Sequence, residues 1–268
     1  MRILSMILLT SGMSSMGISH GASLAVSSPL QEGLVIHMGF DATATEYDSY
    51  TGYTGGINAW GGTGIASGGA FGSTGYLNLA GASGAHPGTS AVSAANISAN
   101  HFSVNFQFKD VSLNSNYVLR MTTDTGRTFQ FETIGNSIQL FVSSSQGNFY
   151  AGNVGTLTGN TSNWQNFTMT AGDGTISLYL DGTRTATYNF GDADLGKLNF
   201  FQLGCGNNGV NAGTLKMDDF SLWNRDLSAE EVQFLAEHPA SDVMVPEAST
   251  ASLGLFGLFG LLSRRRRR

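Results

Sequence analysis

From Phe102 to Phe108 the chain reads "FSVNFQF". Phe102, Val104, Phe106 and Phe108 fall on one face, and Ser103, Asn105 and Gln107 on the other. This period-two spacing predicts a half-buried strand. "YVLRMTT", "TFQFETI" and "SIQLFVS" continue the pattern, separated by the turn formers "DTGR" and "GN". "ISLYLDGTRTATY" predicts a hairpin. Ile176, Leu178 and Leu180 alternate with Ser177 and Tyr179, and Asp181-Gly182 supplies two residues that tolerate positive φ in a tight primed turn. "LVIHMGF", from Leu34, predicts the opening strand, and "LKMDDFSLW", from Leu215 to Trp223, the closing one. In the closing strand Asp218 alternates with Phe220 and Leu222, which predicts a carboxylate on an apolar face, in need of a partner.

One segment changes period. Ser228 is an N-cap with Glu231 three residues on, the spacing of a capping box, and Leu227 and Val232 have the spacing of a hydrophobic staple. Val232, Leu235 and Ala236 then share a helical face that can close onto strands. Thr51 to Ser90 shows little period. It is rich in Gly, Ser, Ala and Thr, with Tyr53, Trp60, Phe71 and Tyr76 scattered through it, and reads as a long loop with one or two short strands.

Composition supports an all-β reading. Only 12% of the 268 residues are charged and 36 are Gly, which suits short strands joined by turns. The net charge of -6 conceals an asymmetry, because Arg2 and Arg264 to Arg268 lie at the two ends. Without them the chain keeps 7 basic against 19 acidic groups, a net of -12. Such a body repels phosphate backbones, so nucleic acid is not an expected partner. The one cysteine, Cys205, leaves no intrachain disulfide and reads as a small buried residue.

The ends read as address labels. Met1-Arg2, the apolar "ILSMILLT" and the small residues up to "SHGASLAVSS" predict a signal peptide over residues 1–25, cleaved after Ser23 or Ala25. At the other end come a polar spacer with Pro-Glu (239–250), an apolar segment (251–263) expected to lodge in a membrane, and the basic tail 264–268. Arg264, Arg265, Arg266, Arg267 and Arg268 would stay on the cytoplasmic side. The order Val245-Pro246-Glu247, apolar run, basic tail resembles the PEP-CTERM sorting signal of Gram-negative bacteria, with Ala248 where a second proline is usual. The resemblance implies an exosortase as partner, removal of the tail, and an exported protein at the cell envelope, held transiently in the inner membrane. An ordinary tail anchor is the alternative.

Three segments, "GLVIHMGFD", "WQNFTMTAGDGTISLYLDGTRTATY" and "LKMDDFSLWNRDLSAEEVQFLAEH", together resemble laminin-G-like domains of the concanavalin A-like class. The resemblance covers roughly residues 30–238. It implies a two-sheet antiparallel jelly-roll sandwich with one short C-terminal helix, six or seven strands per sheet, and first and last strands close together.

That fold carries binding and catalysis alike, so candidate sites decide the expectation. Glu46 and Asp48 alternate as in related glycoside hydrolases, but Thr51 stands where a third acid is usual. His37, His86, His101 and His238 have no ligand spacing, and no Gly-x-Ser-x-Gly elbow is present after the predicted signal peptide. The chain is therefore expected to be non-enzymatic, with a glycan-active enzyme or a purely structural matrix component as alternatives. Asp41 and Asp218 are candidate ligands of a structural Ca2+; the alternative is that Asp218 pairs with Arg225 or with backbone N–H groups. Tyr53, Trp60 and Tyr150 are candidate stacking residues for a carbohydrate, while Trp164 and Trp223 read as core. The expected work is adhesion at the cell surface through carbohydrate or protein.

Overall fold

The computed structural model describes residues 29–41, 57–60, 63–79, 84–87, 95–111, 117–134, 137–144, 147–156, 162–204 and 214–240. The terminal segments, Tyr53, Glu46, Asp48 and Cys205 lie outside these residues.

The strands run in chain order as β1 (Leu34–Met38), β2 (Ile57–Trp60), β3 (Gly64–Ser67), β4 (Gly75–Leu79), β5 (Gly84–Pro87), β6 (Phe102–Lys109), β7 (Tyr117–Thr123) and β8 (Thr128–Ile134). They continue as β9 (Ser137–Ser144), β10 (Gly147–Thr156), β11 (Gln165–Gly172), β12 (Thr175–Leu180), β13 (Thr183–Asn189), β14 (Leu198–Leu203) and β15 (Leu215–Trp223). The helix α1 (Ala229–Glu237) follows.

Two antiparallel sheets form. One has eight strands, in the order β13-β12-β11-β6-β15-β4-β3, with β1 also paired to β15. The other has seven, in the order β10-β9-β8-β7-β14-β5-β2. The expected all-β sandwich is therefore the observed one, with eight strands in one sheet where the resemblance implies six or seven, and the first and last strands are direct neighbours. The core lies between the sheets, where Phe106, Phe131, Phe167, Phe201 and Phe220 pack ring against ring. Such rings fill volume well and prefer offset or edge-on contacts.

The Asp181-Gly182 hairpin forms with both residues at positive φ, 48° and 74°. The helix also begins as expected. Ser228 Oγ accepts from Glu231 N, and Glu231 Oε2 accepts from Ser228 N. Leu227 and Val232 are both buried, in a second small core with Leu30, Trp223 and Leu235.

Three expectations change. Ser103, Asn105 and Gln107 face away from the main core as the period requires, yet all three are buried. β6 is a central strand, and the helix covers its outer face: Leu235 O accepts from both Gln107 Nε2 and Asn166 Nδ2. Second, the region 51–90 holds four short strands instead of one or two, because Leu77 and Leu79 of "GYLNL" enter the core. Third, Asp218 is not on the apolar face. Asp219 adopts φ 50° and the register slips between Asp218 and Ser221, so Met217, Phe220 and Leu222 share the core while Asp218 pairs with Gln107 outside it. A bulge of this kind re-aims a side chain.

Candidate functional site

Asp41 and Asp218 meet at one turn. The chain from Gly68 to Gly75 folds back between them, with a short 3-10 turn at Ala70–Gly72. Asp218 Oδ2 accepts from Ala70 N and from Ser73 Oγ, both at 2.7 Å, and Asp218 Oδ1 accepts from Asp219 N at 2.9 Å. Asp41 Oδ1 accepts from Thr74 N at 2.7 Å, Thr74 Oγ1 at 2.9 Å and Gly75 N at 3.2 Å. Of the two pairings open to Asp218, the backbone N–H groups are the ones made; Arg225 instead grips Glu231.

Asp218 is fully buried, and burial pushes its carboxyl up to about 6 against the pull of its donors, with the Asp41 charge raising it further. Desolvation outweighs these donors, and a positive charge nearby would offset it. The surroundings also fit a hard cation. Oxygen atoms crowd the turn: a Cβ at Gly69 would collide with Ser73 Oγ, the Gly75 carbonyl and Asp218 Oδ2, and a Cβ at Gly75 would meet the Phe40 carbonyl. This set is all oxygen, as Ca2+ prefers. Among the described residues no three His, Cys, Asp or Glu side chains cluster, so any ion here would depend on these two acids plus neutral oxygens.

A trio that sequence spacing hid lies on the neighbouring pair of strands. His37 on β1 stands opposite Ser221 on β15, with Nδ1 and Oγ 2.9 Å apart, and His37 Nε2 lies 3.8 Å from Asp219 Oδ1. The residue types are those of a hydrolase triad, but the three are only 3%, 0% and 4% exposed. The hydroxyl is enclosed and flanks the strand pairing, so it ties β1 to the sheet.

The eight-stranded sheet carries α1 on its outer face. The outer face of the seven-stranded sheet carries no helix among the described residues. Register there builds a transverse row. Gln202 of β14 pairs with Arg120 of β7, Arg120 with Gln130 of β8, Gln130 with Phe141 of β9, and Phe141 with Tyr150 of β10. Five strands at about 4.8 Å spacing make the row about 19 Å long. Arg120 Nη1 donates to Gln202 Oε1 at 3.4 Å. Arg120, Gln130 and Phe141 are part-exposed, so the row presents amide, guanidinium and ring to solvent. A second row runs Tyr117, Glu132, Gln139, Asn153. Burial raises the Glu132 carboxyl above its ordinary value. Glu132 is the single acidic residue on the strands of this sheet.

The candidate stacking residues separate. Trp60 and Tyr150 belong to one sheet, but to its opposite edge strands, six strand spacings or about 29 Å apart, so they do not form one platform. Trp223 is core, as expected. Trp164 is not: it is part-exposed, with its ring edge-on to Tyr76 at 5.8 Å. It precedes β11 in register with the outer face, whereas its neighbour Gln165 pairs with the core residue Phe108.

This sandwich is similar to several solved domains. Domain 4 of AbnA, a GH43 extracellular arabinanase from Geobacillus stearothermophilus, in complex with arabinotriose, matches with 15% identity and a TM-score of 0.59, over 76% of this chain and 98% of that domain. The binding domain of Paraclostridial Mosquitocidal Protein 1 matches with 14% identity and a TM-score of 0.59, over 77% of this chain and 52% of that one. The binding domain of botulinum neurotoxin DC in complex with SialylT matches with 12% identity and a TM-score of 0.58, over 78% and 52%. The chain thus spans about half the length of the toxin binding domains it resembles. No curated protein matches it. The profile of Laminin_G_3, described as the concanavalin A-like lectin/glucanases superfamily, matches residues 83–233. That match takes in more than half of the chain, from β5 to the helix that caps the eight-stranded sheet, and the chain belongs to this family.

Proposed function

We propose that this chain is an exported, non-enzymatic binding protein whose seven-stranded face contacts carbohydrate. The transverse row Gln202, Arg120, Gln130, Phe141, Tyr150 carries the reading. It combines planar hydrogen-bonding groups with aromatic positions on a rigid sheet, the mix that recognises hydroxyl-rich rings. On the strands of this face Glu132 is the single carboxylate, whereas both glycosidase geometries use a pair of carboxyl groups. That one structural relative is crystallised with arabinotriose and another with SialylT is consistent with the same reading.

The terminal segments complete it. The signal peptide takes the chain out, and Val245-Pro246-Glu247, the apolar run and Arg264 to Arg268 present it to an exosortase, which removes the tail. A Ca2+ held by Asp41, Asp218 and the oxygens of Ser73 and Gly75 would fasten the 68–75 turn to both end strands.

The deciding experiment is calorimetric titration of the full chain with neutral oligosaccharides chosen from a glycan array. Binding that weakens tenfold or more in Phe141→Ala and in Gln130→Ala, with unchanged melting temperature, is the expected result. Retention of no glycan, or equal affinity in both variants, would overturn it. Measuring the mass of the mature protein tests the sorting signal: a mass that still includes the five arginines contradicts processing.

A further inference from the structure

On the outer face of the eight-stranded sheet, one row escapes the cover of helix and turn. Lys216 of β15 stands directly opposite Lys109 of β6 and, on its other side, opposite Asn78 of β4. The adjacent register positions, Met217, Phe108 and Leu77, are in the core, so both lysines face outward. Like charges directly opposite each other on a sheet face are destabilising. The chain surrounds this pair with aromatic rings. Lys109 Nζ lies 4.4 Å from the centre of the Trp164 ring and 5.7 Å from that of Tyr76, and Lys216 Nζ lies 5.4 Å from Tyr76. Asp110 takes one of the charges, at 2.7 Å from Lys216 Nζ. Its hydrogen bond raises the Lys216 pKa above the ordinary value, so that lysine stays charged.

Among the described residues the pair is therefore neutralised once, not twice. Among the described residues, two ammonium groups face one carboxylate, and the second is steadied by rings, which attract a cation without cancelling its charge. All of these residues are part-exposed. A local positive spot with an aromatic border sits on a body that is otherwise acidic, with 7 basic against 19 acidic groups outside the chain ends. Inorganic anions would use the charge and leave the rings idle. A uronic acid in a pyranose ring carries both complements: a carboxylate for Lys109 and an apolar C–H face for Trp164 or Tyr76.

We propose that Lys109, Lys216, Tyr76 and Trp164 form a second binding site, for an acidic polysaccharide built of uronic acids. It lies on the opposite side of the sandwich from the Gln202–Tyr150 row and does not depend on that face binding sugar. Together with the neutral-glycan face proposed above, the site would let the protein bridge a neutral and an acidic glycan.

The test is affinity electrophoresis and titration of the full chain with polygalacturonate, beside neutral dextran and dextran sulfate. Polygalacturonate is expected to bind, at least tenfold more weakly in Lys109→Gln and in Trp164→Ala, and unchanged in Phe141→Ala. Its affinity should fall as salt rises, since an ion pair at the surface is screened. Trp164→Phe, which keeps a ring, should retain most of the binding, and melting temperatures identify any variant that is misfolded. The proposal is overturned if polygalacturonate is not retained, if Lys109→Gln binds like the parent, or if Phe141→Ala abolishes the binding. Dextran sulfate binding as tightly as polygalacturonate, and surviving Trp164→Ala, would reduce the site to charge alone and overturn the uronate assignment.

Discussion

The indole Nε1 of Trp223 donates a 2.7 Å hydrogen bond to the carbonyl of Leu30, 193 residues earlier in the chain. This bond joins the last strand to the turn that precedes the first. Both residues are buried in the small core under α1. Trp223→Phe keeps a ring there but leaves the Leu30 carbonyl without its donor. An unsatisfied buried acceptor costs about 1–3 kcal/mol. Urea denaturation should show that loss with an unchanged m-value.

The corner after β15 is held by charge. Arg225 Nη1 and Nη2 donate to Glu231 Oε2 and Oε1, and Arg225 Nε donates to the Glu32 carbonyl at 2.7 Å. Burial alone would raise the Glu231 carboxyl, but Arg225 and the N–H of Ser228 hold it below the usual value of 4.5. A depressed carboxyl contributes stability above its unfolded pKa and loses it as pH falls through the lower folded value. Arg225→Met should therefore cost about 1 kcal/mol at neutral pH, the upper end for a part-exposed pair because the contact is two-pronged. Below about pH 4 the difference from the parent should shrink as Glu231 protonates in both. Melting curves across pH 3 to 7 read this directly.

Local patterns carried most of the fold. Alternation in "FSVNFQF" and "ISLYLDGTRTATY" identified faces correctly, and the Ser228 box placed the helix start. What the pattern does not encode is what lies over a face. Gln107 and Asn166 look like solvent-facing polar residues until the helix brings the Leu235 carbonyl down on them. Strict alternation puts Asp218 on the wrong face because a bulge at Asp219 shifts the period, and no composition signal announces one. The site was less legible still. The Gln202–Tyr150 row draws its members from five strands, and the Lys109–Trp164–Tyr76 cluster from residues up to 88 positions apart, so pairing register alone assembles them. The Asp41–Asp218 pair was legible because both end strands were recognisable as ends.

Asp218 makes the protein's stability depend on pH in a direction opposite to Glu231. Burial raises its folded pKa to about 6, above the unfolded value of 3.8. The contribution is fully present below 3.8 and is lost as pH rises through about 6. In a chelator, the melting temperature should thus rise on acidification from pH 7 toward pH 4 through this group, by at most about 3 kcal/mol of stability. Asp218→Asn should remove that slope. If Ca2+ binds, adding it at pH 7.5 should raise the melting temperature and do so far less at pH 5, where protons compete for the same carboxylate. A melting temperature unmoved by Ca2+ at pH 7.5 would exclude a structural ion at this turn.

Glycines on the same turn separate crowding from backbone strain. Gly69 has φ −74° and ψ −169°, a conformation open to any residue, yet a Cβ there would collide with the Gly75 carbonyl, Ser73 Oγ and Asp218 Oδ2. One of these is backbone, so a simple side-chain rotation does not relieve the clash. Gly68, its neighbour, has φ +90° but open space around its Cβ position. Gly68→Ala should therefore cost only the strain of a positive φ, about 1 kcal/mol, and leave the response to Ca2+ and to pH intact. Gly69→Ala should cost more, about 1–3 kcal/mol as for other overpacked sites, and should displace the turn from Asp218. Its signature is a flattened stability profile between pH 4 and 7, together with loss of any Ca2+ response. Chemical denaturation of both variants at several pH values checks this. Equal costs, or a Gly69→Ala protein with the parental pH profile, would show that the turn does not shape the environment of Asp218.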